Sequence, residues 1–271
     1  MIGKVYLVGA GPGDPELLTV RALRILQQGD LVLHDDLVSA SIVNLASAHA
    51  LIVNVGKRCG AKSVRRSEIN ARLIAGARHG FTVVRLKGGD PSIFGRCGEE
   101  IEALREADVD FEIVPGVTAA SAAAAAAGIS LTHRHVASSL VFLTGHRAGH
   151  DTGPKGSRSS RPVMDFPGSD LAGKTVVVYM PGARYTSLSA ELQAAGISGD
   201  THCVLVSAAF AGAQRIYRTT VQKLANAPAL AAPSILIVGD VVRLAREHVW
   251  PQFESGFVSG KLRPALSGFA G

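Results

Sequence analysis

Only three cysteines, Cys59, Cys97 and Cys203, are spread over the 271 residues. An odd number at such wide spacing excludes a disulfide framework and a zinc site of the paired-cysteine type, and it fits a reducing compartment, so a cytoplasmic protein is expected. Aromatic side chains are scarce as well, 5% of the chain with a single tryptophan. The basic stretches are not interleaved with rings on which bases could stack, so nucleic acid is not the expected partner. Long hydrophobic runs are missing. The longest weakly polar segment, Val117 to Ile129, is mostly alanine and contains Thr118 and Ser121; it is too short and too feebly apolar to span a bilayer. The first residues, Met1-Ile2-Gly3-Lys4, lead into an apolar strand without the basic, apolar and cleavage regions of a signal peptide, so no targeting segment is expected. No G-x-x-x-x-G-K-[ST] occurs, which excludes a P-loop.

What the chain does have is 47% hydrophobic residues, 30 glycines and a net charge of +6. The first is enough for a substantial core, and the last favours anionic partners, of which a small polyanionic substrate is one. Apolar strands alternate with helical patterns, the arrangement of an α/β protein with parallel sheets. Strands are expected at Lys4–Val8, Leu31–His34, Thr82–Leu86 and Phe111–Val114, then at Ser139–Leu143, Lys174–Met180, Cys203–Val206 and Ile235–Val238. Nothing repeats at a fixed period, so a solenoid is not expected. The boundary between two α/β domains is placed near Thr132 to Ser138, giving an N-terminal domain over 1–135 and a C-terminal one over 136–250. The Gly-, Ser-, Pro- and Arg-rich stretch 146–170 should be a long loop, and 251–271 an irregular tail.

The segment "LVGAGPGDPELLTVRALRILQQGDLVLHDDL", Leu7 to Leu37, has the strand, glycine turn and helix of a nucleotide-phosphate site. Its chemistry points elsewhere. A dinucleotide fingerprint reads G-x-G-x-x-G; here the glycines are Gly9, Gly11 and Gly13, and Asp14 stands at the sixth position. Pro12 removes one N–H, and Asp14 before Pro15 is a helix start with a carboxylate at the N-cap and proline at N1. An N-terminal aspartate is worth about 0.3–1 kcal/mol to its helix, whereas a carboxylate about 4 Å from a phosphate oxygen costs roughly 4 kcal/mol at an effective dielectric near 20. The loop is therefore suited to close backbone approach to a neutral or cationic ligand, with a plain tight turn as the simpler reading.

Two further strands end the same way. Thr82–Leu86 runs into "KGGDPSIFGRCGEE", where Asp90 brings a second carboxylate to a strand's C-terminal end, and Phe111–Val114 runs into "PGVTAASAAAAAAG", where Thr118 is placed to cap an alanine-rich helix. Ligands of open α/β sheets bind outside the carboxyl ends of the strands, so three glycine-bearing turns are expected to converge on one pocket. The alanines are either plain helix formers or a surface on which something packs flat.

Taken together, "VGAGPGDPELLT", "LVSASI" after "LHDD", "VGKR", "RLKGGDPSIFGRCGEE", "VPGVTAASAAAA", "GISLTHR" and "VVVYM" resemble the uroporphyrinogen-III C-methyltransferases of the tetrapyrrole methylase superfamily. The resemblance covers nearly the whole chain apart from the loop and tail, and "KGGDPSIFGR" is its most specific element. It implies two α/β domains with the active-site cleft between them, a homodimer, and transfer of two methyl groups from S-adenosylmethionine to ring carbons of uroporphyrinogen III, giving precorrin-2 for sirohaem or cobalamin synthesis. The donor is a sulfonium without phosphate, which agrees with acidic strand ends, and no metal is implied. By the resemblance, Pro12, Gly88, Gly89, Asp90, Ile93, Thr118, Ala119, Met180 and Ala209 contact the cofactor, Asp35 is the proton acceptor and Lys57 the proton donor. Arg96, Glu99 and Arg134 hold the substrate, whose carboxylates suit bidentate guanidinium contacts.

The chain departs from the family pattern at Ser92, where phenylalanine is common, at Cys97 beside Arg96, and at Asp36, where a basic residue or histidine is usual. The segment Val206 to Arg215 lacks the usual acidic and amide residues. His146 and His150 have a metal-binding spacing but sit among Gly and Ser, and His133 and His135 belong to a turn; no metal site is expected at either pair. A later corrin-ring methyltransferase, a non-catalytic binding module on the same scaffold and a nucleotide-dependent oxidoreductase remain as alternatives, the last disfavoured by Pro12 and Asp14.

Overall fold

The computed structural model describes residues 2–56, 65–145, 170–183, 185–207 and 214–245. The loop 146–170, except for Asp170, and the tail 251–271 lie outside the described residues.

The first sheet contains β1 (Val5–Gly9), β2 (Leu31–His34), β3 (Leu51–Asn54), β4 (Val83–Lys87) and β5 (Phe111–Val114). Its order is β3-β2-β4-β1-β5, and every pairing is parallel. The strands run apolar because helices cover both faces. On one face α1 (Val20–Gln28) and α2 (Ala40–Val43) contribute Ala22, Leu26 and Ile42 to a core with Val8, Val32 and Leu86. On the other, α3 (Arg66–Arg78) and α4 (Cys97–Glu106) contribute Leu73, Cys97 and Leu104 to a core with Leu7, Leu33 and Val83. Helix α1 starts at its own cap: the Thr19 hydroxyl accepts from Ala22 N at 3.1 Å. Asp14 and Pro15 open only a 3-10 turn, Pro15–Leu17, short of the longer helix that the sequence suggests.

The second sheet holds β6 (Leu140–Thr144), β7 (Thr175–Tyr179), β8 (His202–Ser207), β9 (Arg215–Thr220) and β10 (Ser234–Val238), in the order β6-β7-β10-β8-β9. Only β6 and β7 pair in parallel; β10 is antiparallel to both β7 and β8, and β8 to β9. This corrects the expectation of a second parallel sheet. The crossover through α6 (Tyr185–Ala194) gives β7 and β8 the same direction, but β9 and β10 follow with no α-helix between them, only a 3-10 turn at Gln222–Asn226. Strand β9 returns antiparallel beside β8, and β10, which runs the same way as β9, crosses to the other side of β8 and so opposes both β8 and β7. The sequence also misses β3 and β9, both edge strands whose residues are mainly exposed or half-buried and so carry little apolar signal.

The alanine-rich helix α5 (Ala119–Ala126) follows β5 in the chain but packs on the second sheet. Ala120, Ala123, Ala124 and Ala127 share a core with Val177, Val204, Val206, Ile235 and Ile237. Their methyl groups are short enough for the helix to lie close against the strands, so the object packed flat on the alanines is the chain's own sheet. Arg218 on β9 adds a hydrogen bond of 2.7 Å to the carbonyl of Ala127.

Candidate active site

Strands β4, β1 and β5 are neighbours, so their three glycine turns emerge side by side at the carboxyl edge of the first sheet. The turns are bonded to each other. Gly11 N donates to Gly89 O at 3.1 Å, Gly89 N to Gly11 O at 2.7 Å, and Ala10 N to Lys87 O at 2.7 Å. Gly116 sits so tightly that a Cβ there would lie 2.4 Å from Gly89 O and 2.8 Å from Gly9 Cα. At Gly89 the space beside the backbone is open, the nearest atom to a built Cβ being Ala119 N at 3.9 Å, and φ is +69°. The result is a floor of bare backbone between the two sheets.

The two acids beside this floor both accept from backbone N–H groups. Asp90 accepts from Ser92 N at 2.8 Å and from Gly116 N at 3.0 Å, clamping the second turn to the third. Asp14 accepts from Glu16 N at 2.9 Å. Two carboxyl groups thus stand beside exposed backbone, which disfavours a phosphate there. Thr118 occupies the N-cap position of α5 but makes no capping bond. Its hydroxyl instead meets the Tyr179 hydroxyl at 2.5 Å, which joins the first sheet's third turn to the end of β7. The expected side-chain cap is thus corrected: the competing partner, sequestered between the rings of Phe94 and Phe142, wins the hydroxyl. Burial pushes the Tyr179 phenol above its ordinary pKa, so it stays protonated and able to donate.

Of the other residues assigned to the cofactor, Ile93 and Ala119 pack against the core that α5 shares with the second sheet. Gly88 lies beside Leu37, whose Cβ would be 2.9 Å from a Cβ at position 88. Pro12 is half-buried between the paired Gly11 and the 3-10 turn. Met180 follows Tyr179 in a left-handed conformation, φ 51°, with its side chain largely exposed at the cleft end of β7. Such a conformation in a non-glycine residue is a cost that folds retain mainly at functional sites. Ala209 and Lys57 lie outside the described residues.

Asp35, just past β2, is held by Arg85 of β4, whose guanidinium bonds its carboxylate directly. Arg85 is buried and continues to Glu100 of α4 through Nε at 2.9 Å; Glu100 in turn accepts from Lys87 Nζ at 2.8 Å. Burial opposes the charge on Arg85, but Asp35 and Glu100 outweigh it and raise its pKa further above the ordinary value. These charged partners escaped the sequence reading, although a signal was there: two cations in the central strand "VVRLK" cannot be buried unless anions meet them.

Arg96 and Glu99 come together, with Arg96 Nε and an Nη on Glu99 at 2.9 and 2.8 Å. Arg96 is also left-handed, φ 55°, at the N-cap of α4. Arg66 at the start of α3 bonds the other oxygen of Glu99, so two guanidiniums share one carboxylate and leave a net positive edge to the cleft. Arg134, exposed on the turn after α5, is not joined to them by a hydrogen bond or ion pair. Asp36 accepts from the Asn54 amide at 2.9 Å, and Gly56 abuts it closely. Cys97 is buried at the start of α4, and burial pushes its thiol pKa up.

Two α/β layers thus meet at a backbone-lined cleft, with acidic strand ends and a carboxylate–guanidinium pair beside it. The family model for Tetrapyrrole (Corrin/Porphyrin) Methylases matches residues 4–225, and the chain belongs to that family. Among curated relatives, the siroheme synthase of Stutzerimonas stutzeri is 44% identical over 265 residues, covering 96% of this chain and 54% of that protein. The chain spans about half the length of the curated relatives it matches. Among solved structures, the uroporphyrin-III C-methyltransferase of Thermus thermophilus complexed with S-adenosyl homocysteine has a TM-score of 0.72 at 36% identity, covering 89% of this chain and all of that one. A cobalt precorrin-4 methyltransferase has a TM-score of 0.73 at 30% identity, over 88% of this chain and 95% of that one.

Proposed function

We propose that the chain is an S-adenosylmethionine-dependent C-methyltransferase that converts uroporphyrinogen III to precorrin-2, with sirohaem or cobalamin synthesis downstream. The observation that carries this reading is the shared cleft: a bare glycine floor suited to a cationic donor lies beside a carboxylate, Asp35, gripped by a buried guanidinium. The Thermus thermophilus methyltransferase with bound S-adenosyl homocysteine, all of which is covered by 89% of this chain, supports it.

The residues present fit the donor. The open side of Gly89 admits a ligand against backbone. Pro12, Gly88, Gly89, Asp90, Ile93, Thr118, Ala119, Met180 and Ala209 would hold it. When bound, S-adenosylmethionine supplies a methyl group already activated on sulfonium, which a ring carbon of the macrocycle takes up. The protein contributes alignment and proton handling. Asp35 accepts the proton that the methylated macrocycle must lose, and Lys57 acts as donor. Arg96, Glu99 and Arg134 hold the substrate, with Arg96 and Arg134 on its propionate or acetate carboxylates. The proposal includes two domains, 1–135 and 136–250, a homodimer and a cytoplasmic location. No helix among the described residues is long and apolar enough to cross a membrane.

The test is direct. Protein, S-adenosylmethionine and freshly reduced uroporphyrinogen III should yield the precorrin-2 chromophore with two methyl groups transferred per macrocycle. Failure with this substrate alongside turnover of a later precorrin would instead indicate a corrin-ring methyltransferase.

A further inference from the structure

Arg85, Lys87 and Glu100 are buried together behind the cleft, and only one end of their row reaches it. From the inside outward the order is Lys87, Glu100, Arg85, Asp35. The side chains of the first three are 3 to 5% exposed, and that of Asp35 is 30% exposed. Every donor direction of Arg85 is committed: Nε to Glu100, one Nη to Asp35, and the other to the carbonyls of Leu33 and Leu86 at 3.4 and 3.3 Å. Glu100 spends one oxygen on Arg85 and the other on Lys87.

Stability alone gives no reason for this row, because a buried ion pair is seldom worth more than apolar side chains of the same volume. Its charge balance does give one. The row holds two cations and two anions, so it is neutral only while Asp35 is ionised; a proton on Asp35 leaves an uncompensated positive charge in the core. A base built this way accepts a proton in the reaction and then loses it readily to water. The proposed reaction needs that reset because it makes two transfers on each macrocycle.

We propose that Glu100 and Lys87 are positioning residues that act through Arg85 to aim Asp35 at the cleft and return it to its anionic form after each methyl transfer. The inference rests on the proposed reaction and on the role given there to Asp35. Glu100 fixes the guanidinium in one orientation, and Lys87 balances Glu100 so that the charge of Arg85 remains available to Asp35. The other groups around Asp35 are His34, whose Nδ1 lies 3.0 Å from the Asp35 carbonyl oxygen, and Asp36, bonded to Asn54. Near the row stand Cys97, whose thiol burial keeps neutral, and Asp90, bonded to backbone.

The two partners carry opposite charges, and the experiment uses that. In the full chain, kcat/KM for uroporphyrinogen III is followed against pH in Glu100→Gln and Lys87→Met. Glu100→Gln should move the acid limb down and Lys87→Met should move it up, each by about one pH unit, the size a partly screened buried charge produces at this remove. Both should lower kcat at least tenfold while the Kd for S-adenosylhomocysteine stays within about twofold of wild type. Glu100→Gln combined with Lys87→Met restores neutrality and should bring the limb back. Each sign is decisive by itself, so one folded single variant is enough, and if neither folds the paired variant decides by its kcat, which should stay at least tenfold below wild type although its limb returns, because Arg85 has lost the carboxylate that fixes it. Limbs of the single variants that stay in place or move in the same direction, or a wild-type kcat in the paired variant, overturn the inference. A wild-type chain inactive on uroporphyrinogen III overturns the proposed reaction instead.

Discussion

Replacing Gly116 by alanine adds one methyl group at the point where the three turns touch. The backbone of position 116 does not have the positive φ that would itself forbid alanine, so the whole effect is steric. The added Cβ would stand 2.4 Å from Gly89 O, 2.8 Å from Gly9 Cα and 2.9 Å from Gly9 C, all backbone atoms that cannot rotate away. Relief requires the turns after β1 and β4 to separate from the turn after β5, stretching the 3.0 Å bond from Gly116 N to Asp90. Overpacking of this kind costs about 1–3 kcal/mol, and backbone on both sides puts Gly116→Ala near the upper end. In a chain of this size that lowers Tm by roughly 4–10 °C. If the floor of these turns receives the cofactor, S-adenosylhomocysteine binding measured by calorimetry should weaken at least tenfold, in parallel with the loss of Tm. Gly98→Ala is the matched control: nothing lies within 4 Å of a Cβ there, and the site is in α4. It should leave binding unchanged and gain about 0.5–1 kcal/mol from helix propensity. Wild-type affinity and Tm in Gly116→Ala would refute the close approach of the three turns.

Four further outcomes are expected. Asp35→Ala should cut the rate of precorrin-2 formation by about 100- to 10,000-fold, the range of a lost general base, with S-adenosylhomocysteine affinity retained. Gly88→Val should weaken that affinity, because even the first carbon of the side chain meets Leu37 Cβ at 2.9 Å; unchanged calorimetric titration would remove position 88 from the site. A double-mutant cycle of Thr118→Val and Tyr179→Phe should give a coupling of about 1 kcal/mol in urea unfolding, since one hydrogen bond links them; additivity would show that the bond does not form. Burial pushes the Cys203 thiol pKa up to about 12. The unfolded thiol ionises at lower pH, so its stabilising contribution is complete below about pH 8.5 and declines as pH rises toward 12. Stability should therefore fall with an added slope of about 1.4 kcal/mol per pH unit above pH 9 that is absent in Cys203→Ala; equal slopes in the two proteins would contradict this.

The motifs around Gly9 to Asp14, Lys87 to Asp90 and Pro115 to Thr118 could be read in the sequence because a strand, its turn and the following helix start are determined within a dozen residues. Parallel order in the first sheet followed from the helices that separate its strands, and the acids at their ends already argued against phosphate. The direction of β10 could not be read, because "SILIV" is apolar in either orientation and only its neighbours, β7 and β8, fix its sense. Edge strands β3 and β9 were hidden for the converse reason, that half-exposed strands lack an apolar run. What the tertiary structure alone decided is which distant residues share one environment. Asp35 meets Arg85 across 50 positions, and Thr118 meets Tyr179 across 61. Local sequence encodes dihedral preference and periodicity, whereas the partner of a buried charge or hydroxyl is chosen by packing, the only agency that brings such groups out of water together.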